Sequence, residues 1–173
     1  MPAAPEESSS ANSQFGEEKM VKVEDPSGKF TILFVDTWLQ ESGNTPNSLR
    51  SKQDEWVAEV EIVSANDQTP EQAVQALNAS QANNTSGYKK LALQSGSVHG
   101  LPAFSLIYEY GSGVNPVTEK PLRYIGSQVF VGGGPAGLLG HLTFSAPASF
   151  YGDVSEIFDK ILSGYDWKPG ATQ

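Results

Sequence analysis

Trp56-Val57-Ala58-Glu59-Val60-Glu61-Ile62-Val63-Ser64 decides the fold class. Trp56, Ala58, Val60 and Ile62 fall on one side of an extended chain, and Glu59 and Glu61 on the other. A strand with one dry and one wet face belongs to an antiparallel sheet; strands of an all-parallel sheet are buried on both faces and read as continuous apolar runs. Downstream, Thr69 is placed to N-cap a helix, with Pro70 at its first position and Gln72 able to complete a capping box. Ala73, Val74, Ala76 and Leu77 supply its apolar stripe, and Asn83-Asn84-Thr85-Ser86-Gly87 ends it.

Working outward, Met20 to Val23 alternates as a half-buried strand, and Asp25-Pro26-Ser27-Gly28 is a turn. Phe30 to Trp38 is the returning strand, with Phe30, Ile32, Phe34 and Trp38 on one face. Glu41 to Asp54, polar and containing Gly43 and Pro46, is expected to be a loop. Four further strands are expected over Tyr88 to Val98, Pro102 to Tyr110, Leu122 to Val131 and Leu138 to Ala146. A last helix is expected from about Phe150 to Tyr165, where Val154, Ile157, Phe158, Ile161, Leu162 and Tyr165 share a face. Consecutive strands with short turns, covered by two amphipathic helices, predict a layered α+β sandwich.

Three stretches, taken in order, resemble the PsbP-like fold group. They are Val23-Glu24-Asp25-Pro26-Ser27-Gly28-Lys29-Phe30 leading to Trp38; Val98-His99-Gly100-Leu101-Pro102-Ala103 leading to Tyr108; and Leu142-Thr143-Phe144-Ser145-Ala146-Pro147 followed by Phe158-Asp159-Lys160-Ile161-Leu162-Ser163. That group takes in extrinsic photosystem proteins, a Ran-binding import factor and small LpqN-type bacterial lipoproteins. The resemblance covers roughly residues 20–168. It implies a protein-binding role and supplies no shared catalytic residue. One departure is Val35-Asp36-Thr37-Trp38, where the group usually has a proline before the tryptophan.

Composition sets limits on function. The chain of 173 residues carries 11 Lys and Arg against 20 Asp and Glu, a net charge of −9. Such a chain repels phosphate backbones, so nucleic acid is not an expected partner. It has no cysteine, which removes disulfides and thiolate chemistry. Residues 1–19, rich in Ser, Pro, Ala and Glu, lack hydrophobic periodicity and are expected to be a disordered spacer; 169–173 is expected to be a tail. A spacer of this kind tethers a domain, so the chain is expected to work outside the cytoplasm, lipid-anchored by a Cys outside this sequence, as a monomer that binds another protein.

Candidate chemistry is sparse. Gly132, Gly134 and Gly137 match G-x-G-x-x-G, but no βαβ context surrounds them, and a hairpin turn is expected instead. His99 lies in a turn and His141 in a strand; neither belongs to a zinc spacing, and each is expected to be a surface or structural histidine. Glu59 and Glu61 are expected on a solvated face, where with Asp54 they form at most a weak cation site. Asn78-Ala79-Ser80 and Asn84-Thr85-Ser86 fit glycosylation sequons, a pattern common by chance. No catalytic, cofactor or metal residue is assigned. The expected function is a non-catalytic exported binding module. The alternatives are a hydrolase gathering His99 or His141 with a carboxylate or serine, and a photosystem-associated or metal-responsive protein.

Overall fold

The computed structural model describes residues 19–43, 45 and 48–168. The chain runs β1 (Met20–Glu24), β2 (Phe30–Val35), β3 (Leu39–Ser42), β4 (Leu49–Gln53), β5 (Trp56–Ser64), α1 (Pro70–Asn84), β6 (Lys89–Val98), β7 (Leu101–Val114), β8 (Pro121–Val131), β9 (Leu138–Pro147), α2 (Ala148–Ser163) and β10 (Asp166–Trp167). Among the described residues the strands form two antiparallel sheets. One is β1-β2-β10; the other has the order β3-β4-β5-β9-β8-β7-β6. The architecture is α+β, as the alternation along β5 predicted.

The large sheet is buried on both faces by different partners. Ala58 and Val60 of β5, Val129 and Val131 of β8, and Leu142 and Phe144 of β9 join β2 and α2 in the main core. Phe30, Ile32 and Phe34 come from β2; Val154, Ile157, Phe158 and Ile161 come from α2. The opposite face packs Leu106, Tyr108, Phe130 and Leu139 under Ala73 and Val74 of α1. The layers are therefore α1, the large sheet, then α2 side by side with the small sheet. The expected capping box is present: the Thr69 hydroxyl accepts from Gln72 N–H, and the Gln72 side chain accepts from Thr69 N–H.

The structure corrects three expectations. The segment expected as a loop holds a hairpin. β3 and β4 pair from Leu39 with Lys52 to Ser42 with Leu49, and β4 continues onto β5. Its polarity misleads because its strands are held by cross-strand ion pairs, Lys52 with Glu41 and Arg50 with Glu59, and because its inward residue is the fully buried Ser51. The second strand ends at Val35, not Trp38. Trp38 N–H bonds back to Val35 C=O, and the indole enters the core from the turn. The last helix stops at Ser163, which leaves Tyr165 outside it and lets Asp166 and Trp167 run beside β2 as β10. Of the expected spacer over 1–19 only Lys19 is described, and the tail over 169–173 lies outside the described residues.

Candidate binding site

His99 and Gly100 form the two-residue turn between β6 and β7, both with positive φ (51° and 76°). That is the backbone of a type I′ hairpin turn, which matches the strand twist, and histidine is among the non-glycine residues that enter this region most readily. The exposed imidazole therefore has a turn role. Gly132 to Gly137 likewise link β8 to β9, and the segment that follows is a strand, so the loop does not lead into a helix as a dinucleotide-binding loop does. The Trp167 Nε1–H donates to Gly132 C=O at 2.9 Å, and a Cβ at Gly134 would lie 2.2 Å from the Trp167 ring. Gly134 makes room for an indole, where a dinucleotide loop would make room for a pyrophosphate, and Gly137 serves the turn with a φ of 81°.

His141 is placed quite differently. β5 and β9 pair Glu61 with His141, and β8 and β9 pair Gln128 with Thr143, so three polar side chains meet on the face shared with α1. His141 Nδ1 lies 3.1 Å from Glu61 Oε2, and Nε2 lies 2.7 Å from Gln128 Oε1. Gln128 Nε2–H donates to the Tyr108 hydroxyl at 3.0 Å, and Thr45 Oγ1–H donates to Glu61 Oε1 at 3.1 Å. The Phe130 ring stacks flat on the imidazole, 4.4 Å between centroids. A general base needs a ring nitrogen free to take a substrate proton; both nitrogens here are engaged. The row is a cross-strand polar clasp.

The carboxylates expected on a solvated face are half-buried and paired: Glu59 with Arg50 at 3.3 Å, and Glu61 with His141. Asp54 does not join them. It sits in the β4–β5 turn with φ of 54°, and its neighbour Glu55 accepts from the Tyr124 hydroxyl. Among the described residues no group of three or more His, Asp or Glu side chains is placed to hold a metal ion.

The hydrogen bond from His141 holds the Glu61 carboxyl below the usual carboxylate range; burial opposes this, and Thr45 adds to it. A carboxyl whose folded value is depressed stabilises the fold above its ordinary value, near 4.5, and loses that contribution as the pH falls through the folded value. Glu61→Gln is therefore expected to be less stable than the parent near pH 7, with the gap closing below about pH 4. Urea midpoints at pH 7, 5 and 3.5 check this; a gap independent of pH would show that the clasp is not electrostatic.

Two clefts lie elsewhere, flanking β6. The first runs between α2 and strands β6 to β8, as two connected lobes of about 180 and 120 Å3. Gln94, Ser105, Ser127, Tyr151 and Asp159 give it polar groups over a floor of Val129, Phe144, Phe158 and Leu162. The second, of about 310 Å3, lies on the other face, where Thr69, Pro70 and Glu71 at the start of α1 meet Ser95, Gly96, Pro102 and Phe104. The first cleft escaped sequence reading because its residues are scattered over five elements. Asp159 beside the buried Phe158 was its one trace.

Burial, and then the nearby Glu156 charge, push the Asp159 carboxyl up from its ordinary value. A raised carboxyl favours the fold while protonated and loses that contribution as the pH rises through the folded value. Asp159→Asn is thus expected to melt higher than the parent at pH 7, by an amount that shrinks toward pH 3.5. Melting curves across that range decide it; a lower melting temperature at pH 7 would mean that the ionised carboxylate has a partner in the fold.

With helices on both faces of an antiparallel sheet and a small second sheet beside α2, the fold is PsbP-like. No family model matches the sequence, and no curated protein matches it. Solved structures do: cyanobacterial PsbP (CyanoP) from Synechocystis sp. PCC 6803, at 13% identity and TM-score 0.61, over 90% of this chain and 96% of that one. The Saccharomyces cerevisiae Ran-binding protein Mog1p matches at 11% identity and TM-score 0.60, over 87% and 96%. LpqN of Mycobacterium tuberculosis, involved in cell envelope biogenesis, matches at 16% identity and TM-score 0.58, over 88% and 92%. At these identities the likeness establishes the fold.

Proposed function

We propose that this chain is a non-catalytic accessory module that binds another protein outside the cytoplasm, held at a membrane through a lipid anchor beyond the sequence in hand. The observation that carries the reading is the fate of His141. The one histidine that meets a carboxylate has both ring nitrogens engaged by structural partners, which leaves neither free to face a substrate. Two of the structural neighbours support a binding role by their descriptions, one as a Ran-binding protein and one as a participant in cell envelope biogenesis. The net charge of −9 favours protein over nucleic acid as the partner. No helix among the described residues is long and apolar enough to cross a membrane. Attachment would therefore fall to the acidic, Ser-rich spacer at the N-terminus and a lipid ahead of it.

The test is the location and intact mass of the native full-length protein in its source cells, with cross-linking in place. A lipid-modified, outward-facing form cross-linked to a protein supports the proposal. An unmodified cytosolic form removes export, and turnover of a small molecule abolished by His141→Ala would overturn the non-catalytic reading.

A further inference from the structure

Among the described residues, β6 is the outermost strand of the large sheet and pairs only with β7. An outermost strand turns about every second backbone N–H and C=O away from the sheet, and natural proteins blunt such edges with charges, prolines, bulges or short strands. β6 is ten residues long. Its protective devices, Lys89, Lys90 and the register shift between Lys90 and Ala92, are confined to its start. From Ala92 to Val98 it has no charge and no proline, and Gln94, Ser95, Gly96 and Ser97 are exposed. A Cβ at Gly96 would meet nothing within 4 Å, so the backbone there is approachable. The opposite edge, β3, has four residues and carries Glu41 in an ion pair.

Both clefts border this stretch: Ser95 and Gly96 line the one beside α2 and the one at the start of α1. Successive side chains of a strand point to opposite faces. A strand laid along β6 would therefore drop alternate side chains into the two clefts, the arrangement in which added strands are recognised. The charges are one-sided. Asp159 lines the first cleft, with Glu156 near it, and Glu71 lines the second; no Lys, Arg or His is among the lining residues of either.

We infer that the free edge of β6 docks an extended basic segment of the partner protein, which adds as a further strand with neighbouring Lys or Arg side chains directed toward Asp159 on one face and Glu71 on the other. The inference rests on the protein-binding reading above and names its site and the partner's chemistry. Burial at Asp159 favours a cationic visitor, since a positive charge offsets the penalty on the carboxylate. A second copy of this chain is a poorer occupant, because two bodies of charge −9 repel.

The test uses the intact protein and a capped synthetic peptide, Val-Thr-Lys-Arg-Val-Thr-Lys-Arg, in calorimetry and hydrogen exchange. Expected are salt-sensitive binding at least tenfold tighter than that of the same peptide with Glu for Lys and Arg, and slowed exchange of the Lys89–Val98 amides. N-methylation of alternate peptide residues should cost at least tenfold in one of its two frames and little in the other. Gln94→Lys, which sets a positive charge beside Asp159, should weaken binding at least fivefold with the melting temperature kept. Equal binding by both N-methylated frames, protection away from β6, or dimers formed through β6 without peptide would each overturn the proposal. If the peptide fails to bind while in-cell cross-linking captures a protein on another face, the edge assignment falls and the module reading stands. If neither is seen, both fall.

Discussion

Trp167→Ala is expected to destabilise the protein by about 3–5 kcal/mol at equilibrium, the range for deleting a buried large aromatic side chain. The indole belongs to a strand of two residues, so the backbone of β10 contributes little alone. What holds this end of the chain is the ring. It is buried, meets Tyr165 edge-on at 5.5 Å, and donates its Nε1–H to Gly132 C=O. Alanine leaves a void against Gly134 and an unpaired carbonyl, and both add to the lost transfer free energy. Trp167→Phe should recover much of the packing without the hydrogen bond. Gly134→Ala provides the internal check. A Cβ there collides with the ring in the parent, so its cost should shrink in the Trp167→Ala background. A loss under about 1 kcal/mol in Trp167→Ala, read from urea unfolding, would mean that the indole is not part of the core. It would also reopen the glycine-rich turn as a ligand loop.

That turn shows what local sequence can and cannot convey. The pattern Gly132, Gly134, Gly137 suits a nucleotide loop and a hairpin equally; its strand flanks favoured the hairpin, but only β10 shows why Gly134 is needed, and two residues carry no periodicity. Elements with a face to bury were legible: β5 by its alternation, α1 by its capping box, α2 by its stripe. The β3–β4 hairpin was not, because its stability comes from partners across the sheet and its buried member is a serine. Trp38 was assigned to the correct core but the wrong backbone, since an indole reaches the core from a turn as well as from a strand. For the site, composition and motifs spelled out no standard catalytic set. The His141 clasp joins residues up to 80 positions apart, through a register that the sequence does not print. A trace existed in Glu61, a charge in the middle of a strand whose neighbour on that face, Val63, is packed. The clefts beside β6 left less: an uncharged edge strand looks like any other until its neighbours are known.

Phe158→Ala is expected to be as damaging as the tryptophan change, at about 3–5 kcal/mol, and to act where fold and proposed function meet. The ring is the hinge of the aromatic core under α2. It lies 5.0 Å from Phe144 of the sheet, 6.5 Å edge-on from Trp38, and 6.0 Å from Tyr151, about two turns earlier on the same helical face. Its removal strips contacts from three elements at once, and those aromatic neighbours are too rigid to collapse into the space. For a domain of roughly 150 residues the melting temperature should fall by about 10 °C. Phe150→Ala, on the same helix but about half exposed and touching only Trp56 among the aromatic rings of the described residues, should cost well under half as much. Phe158 also floors the cleft, and the next residue is Asp159. Phe158→Leu, which keeps a hydrophobe and should cost about 1.5 kcal/mol or less, therefore separates stability from recognition. If α2 sets the height of Asp159 over β6, the leucine variant should bind the basic peptide measurably more weakly while remaining folded at the assay temperature. Unchanged peptide affinity in that variant would place the recognition of the basic side chain on the Glu71 side of the edge strand.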